Sequence, residues 1–294
     1  MGAGIGRFVH DCAVCCALLL SGAACGRNSN PSRPQASGAS VPASPTASAA
    51  DETPSADPVP SAAPAAPNTA PLAADGELVS LPVAGFRDAV VSLPLGTTTK
   101  KPVVLALHGN FDRPEWQCEV WRGIVQNTAF VLCPRGTPRS DAAGLDRWEY
   151  GSRKKTVAEL EAALLALAER YAAYVDPGPV VFTGFSLGAI LGVSIVQSDP
   201  KRFARVVLTE GGQRGWSRAT AKAFKEGGGE RVLFACGQGG CVQNSGPLVT
   251  LLEKAGLSAR VASGGKAGHT YDGSVARAIA ENWSWLIEGD ERWR

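Results

Sequence analysis

The residues whose types and spacing could do chemistry are Gly184-Phe185-Ser186-Leu187-Gly188. A serine with a glycine two places to either side fits a sharp turn from strand to helix. Its neighbours there must be tiny, and its hydroxyl is left pointing outward at a helix N-terminus, where the dipole favours negative charge. The flanks offer both elements. The run 179–183 (PVVFT) is short, apolar and β-branched, as a buried parallel strand needs, and 189–192 (AILG) is small and apolar, suited to a helix packed on a sheet. In a chain with 34 glycines the pentapeptide alone would mean little; its flanks give it weight. A serine hydroxyl is too weakly acidic to attack a carbonyl carbon unaided, so it needs a base to take its proton. The histidines available are His10, His108 and His269.

A turn of this kind has to be held by a sheet, and the pattern predicts one. Apolar runs over 87–94, 102–107, 129–133, 203–208, 231–236 and 258–262 read as strands. Between and after them, 117–126, 156–174, 217–225, 247–255 and 274–287 read as helices; Thr156 with Glu159 three places on looks like the cap of the second. Strands alternating with helices predict an α/β protein, a mainly parallel sheet covered by helices on both faces. The stretch 134–155 reads as a long loop carrying Trp148 and Tyr150, and long loops with aromatic residues are often functional.

Three motifs carry a resemblance: His108-Gly109-Asn110, Gly184 to Gly188, and Gly268-His269. Over 83–287 the chain resembles an α/β-hydrolase-fold serine esterase. It is similar to the group of dienelactone hydrolases, phospholipase/carboxylesterases and polyhydroxyalkanoate-depolymerase-like esterases. The resemblance implies carboxylic-ester hydrolysis through an acyl-serine, with triad residues in the chain order serine, acid, histidine. Ser186 is then the nucleophile. His269 is the one histidine after it, since His10 lies near the N-terminus and His108 precedes the serine as a loop-bracing residue. The usual acid would follow the strand ending at Cys236, but 237–246 holds no carboxylate; Glu210, at the end of the strand before, is the candidate. Asp272 breaks the order, and Glu226 and Glu230 read as surface charges. The oxyanion donors implied are the backbone N–H groups of Leu187 and Asn110, with Phe111 as fallback. Phe111, Phe185, Trp148 and Tyr150 are candidate pocket residues. The interval 209–230 leaves no room for a cap domain. A serine peptidase of the same fold and a non-catalytic surface protein are the other classes open to this sequence.

Composition adds limits. The chain has 294 residues, 45% of them hydrophobic, and a net charge of +2, so nothing demands a nucleic-acid partner. No cofactor or metal is expected. The resemblance implies a small-molecule or accessible polymeric ester as partner, and the only membrane contact expected is through the N-terminus. Residues 1–25 have a positive start, a short apolar core and a small-residue site, the make-up of a secretory signal. They resemble a bacterial lipoprotein signal, which implies lipidation at Cys25 and residence in the cell envelope. Residues 26–76, rich in proline, alanine and serine, read as a disordered tether, and 77–294 as the catalytic domain. Of the eight cysteines, Cys118, Cys133, Cys236 and Cys241 fall in that domain. Of their three pairings, Cys118 with Cys133 and Cys236 with Cys241 are favoured; C-x4-C without a nearby histidine is poor zinc spacing.

Overall fold

The computed structural model describes residues 69–294. The signal-type segment with Cys25, and the tether as far as residue 68, lie outside the described residues. Eight strands form the main sheet: β1 (Leu78–Leu81), β2 (Ala89–Ser92), β3 (Val103–Leu107), β4 (Phe130–Cys133), β7 (Val181–Phe185), β8 (Arg205–Thr209), β9 (Arg231–Cys236) and β10 (Ser258–Ser263). Their order across the sheet is β1-β2-β4-β3-β7-β8-β9-β10. The β1–β2 and β2–β4 pairs are antiparallel, and every pair from β4 to β10 is parallel.

Parallel strands buried on both faces need apolar side chains at every position, and β3, β4, β7 and β8 are buried throughout. Because side chains alternate across a strand, the core divides into two. Leu105, Leu132, Phe182 and Phe234 face α2 (Arg153–Arg170), α3 (Leu187–Val196), α4 (Arg218–Glu226) and α5 (Gly239–Lys254). Val104, Val131, Val181 and Leu233 face α1 (Pro114–Val125) and α6 (Gly273–Ile287). Between β3 and β7 the strand order reverses, and in open α/β sheets ligands bind at such a point, outside the strands' C-terminal ends. The register levels those ends: Leu107 lies beside Gly184, Phe185 beside Thr209, and Thr209 beside Ala235. Residues 108, 186, 210 and 237 therefore emerge on one edge.

Several boundaries differ from the sequence reading. Leu72, placed in the tether, is buried in the domain and is hydrogen-bonded to Gly96 and Thr97, so ordered chain begins before residue 77. The cap of α2 is Ser152, whose side chain accepts from the Lys155 N–H, while Thr156 and Glu159 turn inward. Pro247 does not start α5; the helix begins at Gly239 and carries the proline inside. Its glycine-rich first turns have low helix propensity, but the Cys236–Cys241 bond anchors them to β9. The long loop holds a small hairpin of β5 (Thr137–Pro138) and β6 (Trp148–Glu149). The cysteines pair as Cys118–Cys133, with Cα atoms 6.0 Å apart, and Cys236–Cys241, 5.5 Å apart. Such cystines suit an oxidising compartment. No helix of the described residues is long and apolar enough to cross a membrane.

Candidate active site

Ser186 closes β7 and precedes α3 with φ 49° and ψ −109°, a region that side chains disfavour by about 1–3 kcal/mol. The surrounding packing enforces it. A Cβ on Gly184 would lie 2.6 Å from the Gly188 carbonyl, and one on Gly188 would lie 2.5 Å from the Leu107 carbonyl oxygen. Only glycine permits strand, turn and helix to approach this closely. The Ser186 N–H donates to the Thr209 carbonyl, which ties the turn to the end of β8.

His269 brings Nε2 to 2.9 Å from Ser186 Oγ. Its Nδ1 lies 3.3 Å from Glu210 Oε2. A carboxylate only accepts, so Nδ1 carries the proton and Nε2 is free to accept from the serine. The Glu210 side chain is almost wholly buried, whereas that of His269 is 47% exposed. Glu210 also has a positive φ, 52°, at the end of β8. Its Oε1 accepts from the N–H groups of Gly237, at 2.6 Å, and Gln238, at 2.9 Å. The loop after β9, which has no carboxylate of its own, thus supplies the donors that hold one.

The loop after β3 lies against the turn, for a Cβ on Gly109 would be 3.4 Å from Ser186 Cβ. Among the described residues the N–H groups of Leu187 and Asn110 have no acceptor, as an oxyanion site requires. Arg139 from the hairpin donates to Asn110 Oδ1 and fixes that side chain.

The four candidate pocket residues separate. Phe111 is 46% exposed, with φ 61°, beside Asn110. Trp148 is half-buried in the hairpin, its indole N–H donating to Asp146. Two others are not wall residues. Phe185 is buried beneath the rings of His269, 5.0 Å away, and Tyr271, 4.7 Å away. Tyr150 is buried against His108, their rings 4.5 Å apart, and its hydroxyl donates to the Pro134 carbonyl. Both rings fill space under the loops, because small glycines there leave room for them. The other acids lie elsewhere: Asp272 accepts from the Thr270 hydroxyl, Glu226 pairs with Lys222, and Glu230 pairs with Arg205.

Two residues that sequence reasoning missed complete the edge. Buried Asp112 accepts from Gly109 N–H at 3.3 Å and from the Tyr271 hydroxyl at 3.2 Å. It thereby joins the loop after β3 to the loop of His269. Neither stands in a motif; position beside His108-Gly109-Asn110 and His269 was the one signal. Glu210, Cys236 and Cys241 are the one group of ligand-type side chains clustered among the described residues, and the cystine bond takes both sulfurs.

No family model matches the chain, and no curated protein does. Solved structures do match. Est1E from Butyrivibrio proteoclasticus is 10% identical, over 72% of this chain and 99% of that one, with a TM-score of 0.50. An uncharacterised protein from Bacillus cereus ATCC 10987 is 13% identical, over 65% and 60%, with a TM-score of 0.51. The fold is the α/β-hydrolase fold. The Bacillus cereus carboxylesterase is also similar, 21% identical over 69% and 95% of the two chains, with a TM-score of 0.49. At these identities the likeness is one of fold, and what an α/β-hydrolase domain does is argued from its site.

Proposed function

We propose that this α/β-hydrolase domain is a serine-dependent carboxylic ester hydrolase with Ser186, His269 and Glu210 as its triad. One observation carries the reading: an unbroken hydrogen-bonded chain from the Ser186 hydroxyl through both ring nitrogens of His269 to a buried carboxylate. Ser186 Oγ attacks the ester carbonyl carbon while His269 Nε2 takes its proton. Glu210 fixes the imidazole's orientation and offsets the charge it gains. The N–H groups of Leu187 and Asn110 receive the oxyanion. Collapse of the tetrahedral intermediate expels the alcohol, which leaves with the proton from Nε2. Water, deprotonated by the same nitrogen, then attacks the acyl-serine and releases the acid. None of these steps needs a cofactor.

The open edge around His269 and Phe111 suits an accessible ester, small or polymeric. The N-terminal sequence and the cystines support export, with Cys25 as a lipid-bearing N-terminus; mass spectrometry finding an intact Met1 end would refute that. The activity is tested by p-nitrophenyl esters, peptide anilides and a fluorophosphonate probe. Ester turnover and labelling in the wild type, both lost in Ser186→Ala with the fold kept, are expected. Turnover by Ser186→Ala within about tenfold of wild type would overturn the assignment.

A further inference from the structure

Gly237 bridges Glu210 and the residue that precedes His269. Its N–H donates to Glu210 Oε1 at 2.6 Å, and its carbonyl accepts from Gly268 N–H at 3.0 Å, one residue before His269. A Cβ here would lie 2.4 Å from the Gly268 oxygen, so the approach requires glycine. The carbonyl of Cys236 accepts from Gly264 N–H at 2.7 Å, on the same segment that leads to His269. A glycine-rich stretch is the least suited to hold such a geometry by itself, since glycine has the most backbone freedom to lose. What closes it is the cystine: Cys236 at the end of β9 is bonded to Cys241 in the first turn of α5, five residues on. Both donors to Glu210 lie inside that small ring.

We infer that the Cys236–Cys241 cystine is a positioning device for catalysis. It holds the Gly237 and Gln238 N–H groups on Glu210, and through them the Glu210–His269 bond, so that turnover follows the oxidation state of this pair. The inference rests on the reading of Ser186, His269 and Glu210 as a triad. The other cystine supplies the contrast, for Cys118–Cys133 joins α1 to β4 and neither cysteine hydrogen-bonds a triad residue. In the reduced state the two electrons and two protons come from dithiothreitol, which cyclises to its own disulfide, while Cys236 and Cys241 become thiols.

The test compares C236A/C241A with C118A/C133A well below their melting temperatures. C236A/C241A is expected to lose turnover number by about tenfold, with KM nearly unchanged, and C118A/C133A to keep turnover within about twofold while melting earlier. A turnover number for folded C236A/C241A within about fivefold of wild type overturns the inference. If that variant does not fold, the wild type decides. Graded dithiothreitol is followed by alkylation mapping, by activity, and by the proton resonance of His269 Nδ1–H, which a merely stabilising cystine would leave in place. Activity and resonance should fall together with alkylation of Cys236 and Cys241. Retention of both with the pair reduced, or a pair that stays oxidised wherever the fold survives, overturns it. A wild type that neither hydrolyses esters nor takes the fluorophosphonate defeats the functional reading instead, and the resonance still reports on the cystine.

Discussion

Two buried carboxylates hold the segment 269–271, one through His269 and one through Tyr271, and they hold it for different ends. Glu210 accepts from Gly237, Gln238 and His269; Asp112 accepts from Gly109, Arg113 and Tyr271. Each thus gathers two backbone N–H groups and one side chain. The difference lies in that side chain. His269 is half-exposed and has a second nitrogen on the serine, so its proton can move. Tyr271 is buried, and burial followed by the negative charge of Asp112 pushes its phenol far above the usual range. That proton stays in place. The same set of acceptors serves proton transfer on one side and scaffolding on the other, and the partner decides which.

Exchanging each acid for its amide is the strongest way to break the comparison. In Glu210→Gln the amide oxygen can still accept from the Gly237 and Gln238 N–H groups, which turns the NH2 toward His269 Nδ1. Nδ1 must then accept, the proton moves to Nε2, and the ring no longer takes the serine proton. Turnover number should fall by about two to four orders of magnitude with the melting temperature little changed. Asp112→Asn should reverse the pattern. Its NH2 faces at least one donor among Gly109, Arg113 and Tyr271, leaving a buried group unpaired at a cost of about 1–3 kcal/mol. Melting should fall by several degrees and turnover only by about tenfold, through displacement of the Asn110 loop. If Asp112→Asn proved the more damaging to turnover in folded protein, the roles given to the two carboxylates would be reversed.

How much of this was legible in the sequence follows the same division. The turn at Ser186 could be read because its requirement is steric and local, and glycine at 184 and 188 has no substitute. The inner strands β3, β4, β7 and β8 were legible because burial on both faces leaves an uninterrupted apolar run, whereas β1, half-exposed at the sheet's edge, was not read. Glu210 could be reached only through the resemblance and by elimination, since Gly237 and Gln238 hold it from the loop after another strand and with N–H groups rather than side chains. Asp112 and Tyr271 were not legible, because a bond across 159 residues leaves no local pattern. Phe185 and Tyr150 were misplaced for a related reason. An aromatic residue beside a site reads the same in sequence whether it lines the cleft or fills the space beneath it.

Removing only the tyrosine hydroxyl is a milder perturbation. Tyr271→Phe leaves Asp112 with both backbone donors and should cost about 0.5–1.5 kcal/mol, read from denaturant midpoints, with turnover within about twofold. A loss of turnover as large as that of Glu210→Gln would mean that Tyr271 takes part in the chemistry.

The smallest effect is present at neutral pH and is lost only in acid. His108 begins the loop that Asp112 closes. Its ring is buried, with Nδ1 2.7 Å from the Gly109 carbonyl and Nε2 2.9 Å from the Arg135 carbonyl. Burial lowers its pKa below the ordinary 6.5, against the opposing pull of the two carbonyls and of Asp112. Tyr150 stacks on it and the charge of Arg135 lies nearby, so among the described residues no other group facing the ring favours a proton. The folded chain therefore keeps His108 neutral where the unfolded chain has already bound a proton. By linkage the contribution to stability is fully present above pH 6.5 and is lost as pH falls toward and through the lower folded value. Melting temperatures of the wild type and His108→Asn, measured from pH 7.5 downward, should draw together on acidification if the asparagine replaces one of the two bonds (on the order of 1 kcal/mol) and removes the titration. Parallel curves through that window would show that His108 titrates alike in both states, and its place in the loop would then owe nothing to its neutrality.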